Sequence, residues 1–350
     1  MTKLLRACGL ALAVFAMAGT GAAIAQTGSS GDPRAQAQQE RRVTQPGNNA
    51  PVWEQVRSGN QGYTSLPGRE MGVLVQSAGE TWRQIRNGPV TFYGGWLLVV
   101  VALILAAIYS AKGPVKLHDK PTGRKLVRFT LAERWAHWVM GISFVVLGLT
   151  GLIILFGKHV LLPVIGYTLF AWLTALAKNL HNFVAPLFAV SLLVFIVMFI
   201  RDNLPKAYDF SWFAKAPGFF AGKHIPSGRF NGGEKVWFWG GVVVLSIALV
   251  VSGAILLFPN FDQVRATMQQ ASVVHMVAAL LVIAGALGHI YLGTIGVEGA
   301  YEAMRNGTVD EAWAKEHHEY WYDEVKGGAK SATGGGAVPA GATRMRETRQ

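Results

Sequence analysis

Five uninterrupted apolar runs, near residues 91–111, 136–157, 181–200, 236–258 and 272–296, decide what this chain can become. Each approaches or exceeds the roughly 20 residues that a helix needs to cross the hydrocarbon layer. There the backbone has only itself to bond to, which leaves helices or closed barrels as spanning structures. With 51% of its 350 residues apolar and 15% charged, the chain reads as an all-α membrane protein. A net charge of +12 raises the question of nucleic acid. The Lys and Arg residues, however, gather in the connections between apolar runs, where positive charge sets membrane orientation, and no nucleic-acid partner is expected.

Orientation follows from the N-terminus. Residues 1–25 read as a signal peptide, with Lys3 and Arg6 as a basic start, an apolar stretch from Cys8, and Ala23-Ile24-Ala25 as a small-x-small cleavage pattern. Residues 26–90, rich in Gln, Gly, Ser, Arg and Pro, form an exported flexible arm, with local order expected around Trp53 or between Met71 and Trp82. An exported arm makes the additional helix 91–111 run inward. The connection after it carries Lys112, Lys116, Lys120, Arg124, Lys125, Arg128 and Arg134, whereas 158–180 has only Lys158 and Lys178. Charge rises again across 201–235, falls to Arg265 alone in 259–271, and returns in the tail. The alternation matches an inner-membrane, multi-pass protein with its N-terminal arm exported and its tail cytoplasmic. Residues 326–350, dominated by Gly and Ala, are expected to be disordered.

Chemistry must come from histidine. The single cysteine, Cys8, excludes disulfides, thiolate metal sites and iron–sulfur clusters. Of nine histidines, His137, His181, His275 and His289 fall within the spans, where ionisable side chains are costly and normally functional. His275 and His289 share one helix fourteen residues apart, nearly four whole turns, so both rings leave from about the same face. The rise between them is about 21 Å. On the topology above, His137 and His289 lie toward the cytoplasmic side, and His181 and His275 toward the outer side. Two pairs at two depths suit two haem b groups, each with an imidazole on either axial position. Gly141, Gly148 and Gly151 on the His137 helix, with Gly285, Gly293 and Ala279 on the last, offer room for a flat macrocycle or simply for close helix packing. His118, His159, His224, His317 and His318 sit in connections or the tail, where a solvated histidine needs no special role.

These residues resemble the cytochrome b (gamma) subunit of membrane-bound respiratory formate dehydrogenases. The resemblance is carried by Val127-Arg128-Phe129, Arg134-Trp135-Ala136-His137-Trp138, Asn179-Leu180-His181, Asn231-Gly232-Gly233-Glu234-Lys235, the last span, and the segment from Trp313 to Tyr322. It implies a four-helix transmembrane di-haem cytochrome b core over 125–325, with His137, His181, His275 and His289 as the iron ligands. It also implies partners, an iron–sulfur (beta) subunit and a molybdenum- or tungsten-containing catalytic (alpha) subunit, with formate oxidation on the latter. Quinone would be the electron acceptor near the cytoplasmic face, using Asn231 and the backbone N–H of Gly233 beside His289. By itself, Asn-Gly-Gly is only a turn signal. Other readings are the same core serving a hydrogenase or a thiosulfate reductase, and a haem-free transporter or scaffold. The spans' near-lack of carboxylates to complete a proton relay weighs against the transporter.

Overall fold

Apolar runs without backbone competitors become helices, and their ends are set by local chemistry. In the computed structural model, residues 33–47, 49–59, 78–219, 223–259, 261 and 263–333 are described. Among the described residues five helices are long and apolar enough to cross a membrane: α3 Gly79–Lys112, α4 Leu131–Val160, α5 Leu162–Phe199, α7 Gly232–Leu257 and α8 Arg265–Gly296. Shorter helices precede, separate and follow them: α1 Pro33–Thr44, α2 Ala50–Ser58, α6 Ala207–Phe219, α9 Ala300–Asn306, α10 Glu311–His317 and α11 Glu319–Thr333. α4 starts with a capping box: the Thr130 hydroxyl accepts from the Glu133 N–H while the Glu133 carboxylate accepts from the Thr130 N–H. α7 repeats the device with Asn231 and Glu234. Two orphan donors are satisfied each time, which fixes both helix starts at one end of the bundle.

α4 packs against α5 and α7 against α8, and α3 lies along α8. The contact of the additional helix is close. Gly94 leaves its Cβ space to Leu280 of α8, and Gly95 faces Phe156 of α4. Outward-facing residues such as Leu149, Phe183 and Val190 are exposed, as lipid contact requires. α7 carries a π-helical stretch over Trp237–Leu245, and α8 ends in another over Leu292–Gly296. Such bulges rotate the residues that follow onto a new face and often lie at functional sites.

A polar cap closes the end of the bundle where α4 and α7 begin. A two-stranded antiparallel ribbon pairs β1 Lys125–Val127 with β2 Thr308–Asp310, Leu126 opposite Val309. Its core contains Val309, Ala314, Trp313, Phe129 and Phe199. Arg128 is buried within it. Its guanidinium lies 4.9 Å from the Trp313 ring and 5.2 Å from Phe129, and it donates to the Arg229 carbonyl and to Glu234. α6 is tied to α7 by a buried ion pair, Lys235 Nζ to Asp209 at 2.7 Å, both residues 5% exposed.

Several sequence expectations need correction. The stretch 158–180 is mostly helix, so α5 begins at Leu162 and His181 lies midway along it instead of opening the span. The chain turns at Gly166, whose φ of 74° only glycine adopts without cost. The helix expected at 91–111 begins at Gly79 and bends at Gly88-Pro89, and the arm holds α1 as well as α2, the latter being the local order expected around Trp53. The tail is helical to Thr333, with Lys326 bonded to Glu311. His318 is not solvated: it is 1% exposed and its Nδ1 donates to the Gly228 carbonyl at 2.7 Å. The signal peptide expected at 1–25 and the last part of the tail, 334–350, lie outside the described residues.

Candidate functional site

The four intramembrane histidines meet in two pairs. The rings of His137 (α4) and His289 (α8) have their centres 6.2 Å apart, and those of His181 (α5) and His275 (α8) 6.1 Å apart. Metal–imidazole bonds of about 2.0–2.1 Å, plus roughly 1.1 Å from nitrogen to ring centre, put two axial imidazoles about 6.3 Å apart. Both pairs therefore have the separation that one shared iron requires. A bare ion would find too few ligands, since no group of three or more His, Cys, Asp or Glu able to hold a metal occurs among the described residues. A haem iron needs only two protein ligands, because its macrocycle supplies the others. The donor set fits haem.

The surroundings of the two pairs differ. At the His181–His275 pair both Nδ1 atoms are hydrogen-bonded to hydroxyls. His181 Nδ1 lies 2.8 Å from Thr150 Oγ1, and His275 Nδ1 lies 3.1 Å from Ser252 Oγ. Each hydroxyl proton goes to the preceding turn of its own helix, Thr150 to the Val146 carbonyl at 2.8 Å and Ser252 to the Ala248 carbonyl at 2.5 Å. The hydroxyls are thus acceptors toward imidazole. His275 Nδ1 also lies 3.2 Å from the Leu249 carbonyl, an acceptor only, which fixes the proton on Nδ1. Nε2 is left with its lone pair in both rings. Each hydroxyl residue is followed by glycine. A Cβ on Gly151 would lie 3.5 Å from His181 Cε1, and one on Gly253 3.2 Å from His275 Cε1.

At the His137–His289 pair, His289 stacks on Trp237, ring centres 5.5 Å apart and planes 17° from parallel. His137 packs edge-on against Trp138 and near Phe195, and its Nδ1 is buried without a hydrogen-bond partner. The start of α4 is held from the cap, where Trp138 Nε1 and Arg134 Nε each donate to the Met304 carbonyl at 3.1 Å.

The glycines divide between the two expected roles and others. Gly141 and Gly293 border open space, and Gly148 touches Ile283. Gly151 serves His181, on another helix. Gly285 makes room for Trp237, whose ring also lies against Gly241. Thr150, Ser252, Gly253 and Trp237 escaped the sequence reading. A hydroxyl–glycine dipeptide in the middle of two spans was the available signal.

Asn231 and Gly233 lie at the start of α7, one helical turn before Trp237. The Asn231 side-chain oxygen accepts from the Glu234 N–H at 3.0 Å, and the Trp212 indole of α6 covers Gly232 and Gly233. A small cleft lined by Asn231, Trp212, Lys223, His224 and His317 opens beside them. Burial pushes the His317 imidazole down to about 4, the nearby Glu316 carboxylate opposing and Arg128 assisting. His318 is held well below its ordinary value by burial and by Arg128.

Comparison with known proteins adds an independent line. Residues 128–307 match the family model described as prokaryotic cytochrome b561. The chain is 33% identical over 208 residues to the formate dehydrogenase cytochrome b556(fdo) subunit of Escherichia coli K12, an alignment covering 57% of this chain and 93% of that protein. It is 28% identical over 214 residues to the nitrate-inducible cytochrome b556(Fdn) subunit of the same organism, covering 58% and 93%. Similarity to the formate dehydrogenase cytochrome b556 subunit of Haemophilus influenzae is 26% over 211 residues, covering 57% and 83%.

Proposed function

Since the chain belongs to the prokaryotic cytochrome b561 family, and within it to the formate dehydrogenase cytochrome b subunits, we propose that it binds two b haems and conducts electrons across the membrane to quinone. The observation that carries this reading is the pair of facing imidazole couples, 6.2 and 6.1 Å apart, sharing α8. His137 with His289, and His181 with His275, would each hold one iron. When bound, a haem iron takes up and gives back one electron without moving its ligands far. The chain's own residues do the rest. Neutral imidazoles suit a low-dielectric interior, where an unpaired cation would be expensive. Apolar helix faces exclude water, and the shared helix fixes the spacing of the two sites.

The charge pattern supports an inward direction. Electrons would enter at His181 and His275 from an iron–sulfur subunit on the outer side, itself fed by a molybdenum- or tungsten-containing subunit that oxidises formate. They would leave near His137 and His289 to a quinone held by Asn231 and the Gly233 N–H. The cleft beside Asn231 has Lys223 and His224 on its wall, polar groups through which protons would reach that end. Inward transfer against a negative interior costs about 2.3 kcal/mol per charge per 100 mV, energy that the formate–quinone reaction would conserve.

A reduced-minus-oxidised spectrum of the purified protein, haem supplied during expression, tests the reading. Two b-type signals are expected in the parent and one in His181→Gln or His137→Gln. Absence of any b-type signal in the parent would end the proposal. Mild-detergent purification should bring down chains containing iron–sulfur clusters and molybdenum or tungsten.

A further inference from the structure

The two histidine pairs are chemically unequal, and the inequality is built by residues that touch no iron. On α4 and on α7 a hydroxyl residue followed by glycine sits opposite the histidine of the next helix: Thr150-Gly151 facing His181, and Ser252-Gly253 facing His275. The glycine lets the ring come close, and the hydroxyl meets its Nδ1. Both hydroxyl protons are already committed to carbonyls one turn back, so both hydroxyls accept from imidazole. Nothing comparable exists at the other pair, where His137 Nδ1 is buried without a partner and His289 stacks on an indole.

We infer that Thr150 and Ser252 are positioning residues that hold the Nδ1 protons of His181 and His275, making this pair the more electron-donating of the two. The inference rests on the haem reading above and deepens it. A hydrogen bond from Nδ1–H does two things to a ligand imidazole. It locks the ring's rotation and tautomer, so that Nε2 presents its lone pair, and it raises the basicity of Nε2. A more basic axial ligand favours the ferric state, and so lowers the potential of the iron it holds. Two such ligands on one site and none established on the other set the potentials apart. The His181–His275 site is then the lower, and transfer from it to the His137–His289 site is downhill before any membrane potential is applied. The duplicated dipeptide is thus a directional device.

The test is a spectroelectrochemical titration of the full-length protein carrying both haems. Thr150→Val with Ser252→Ala removes both hydroxyl acceptors while keeping similar shapes, and leaves His275 Nδ1 only the longer contact to the Leu249 carbonyl at 3.2 Å. Thr150→Ser with Ser252→Thr retains them. The expected result is that one of the two b haems becomes easier to reduce by at least tenfold in its ferric-to-ferrous ratio, about 59 mV for a one-electron couple. The other haem, and both haems of the hydroxyl-retaining variant, should titrate as in the parent. If Thr150→Val loses that haem while Thr150→Ser keeps it, the positioning role is upheld by rescue. Unchanged potentials in the double variant, or an equal shift of both haems, would overturn the inference. His181→Gln separates this failure from failure of the underlying reading. Loss of the same haem signal leaves the site assignment standing, whereas retention of both haems removes the assignment and this inference with it.

Discussion

Trp237 is wedged between two helices, and replacing Gly285 by alanine measures how tightly. A methyl at Gly285 would stand 2.5 Å from Trp237 Cζ3 and 3.2 Å from Cε3, against an ordinary carbon–carbon contact of about 3.5–4.0 Å. The indole must withdraw by roughly 1 Å on that scale. It has nowhere to go. The same Cζ3–Cε3 edge also abuts Gly241 of its own helix, where a Cβ would be 2.4 Å from Cζ3, and one face is against His289. Overpacking of this kind costs about 1–3 kcal/mol, while Gly→Ala in a helix interior returns about 1 kcal/mol. Gly285→Ala should therefore destabilise the protein by up to about 2 kcal/mol. With Trp237→Leu in the same chain the collision is gone, and only the helix gain remains, so the alanine should now stabilise by about 1 kcal/mol. Reversible thermal or denaturant unfolding in detergent, followed by tryptophan fluorescence, supplies the cycle. If two haems are bound as proposed, Gly285→Ala should perturb the spectrum of one and spare the other. If the two substitutions add within about 0.3–0.5 kcal/mol, the wedge does not exist as described.

Two further outcomes follow from the cap. Lys235→Ala strands the Asp209 carboxylate, which keeps only the Lys206 N–H at 2.7 Å, and should cost about 3–5 kcal/mol. Lys235→Met with Asp209→Leu should cost much less, and equal losses in a thermal melt would contradict the buried pair. Lowering pH should loosen the cap through His317 and His318. Folded, they stay neutral well below the ordinary histidine value, whereas unfolded they protonate at about 6.5. Their contribution is full above pH 6.5 and falls as pH drops toward 4, by up to about 1.4 kcal/mol per pH unit for each. Hydrogen exchange at 308–322 reports it. A profile flat down to pH 4.5 would assign the loss to carboxylates instead.

Much of this arrangement could be read before any coordinates. Apolar length set the five helices, and the fourteen-residue spacing of His275 and His289 placed both rings on one face of α8. Interhelical detail was hidden. The stretch 158–180, with only Lys158 and Lys178, read as a connection, yet it is helical but for the break between α4 and α5 and the turn at Gly166. Thr150 and Ser252 look inert in a sequence, because a hydroxyl bonded to the turn before it is the ordinary fate of such residues in a span. Their second bond exists only once α4 lies beside α5, and α7 beside α8. The glycines were only partly legible for the same reason: Gly141 and Gly293 border open space, but Gly151 and Gly285 accommodate a ring and an indole of other helices. A helix face can be computed from spacing, but whether a ring, an indole or a neighbouring helix fills the gap beside it belongs to the other helix.

His275 and His289 both stand on the unbroken stretch Arg265–Tyr291. That makes α8 a ruler. With 1.5 Å of rise per residue, the gap between the two histidine positions is written in the pitch of a single rod, with no hinge, loop or subunit joint in between. Neighbouring helices can tilt or exchange lipid without changing the distance between these two positions. If each histidine holds a haem, as proposed, that distance bounds the electron's step whatever docks on the outside.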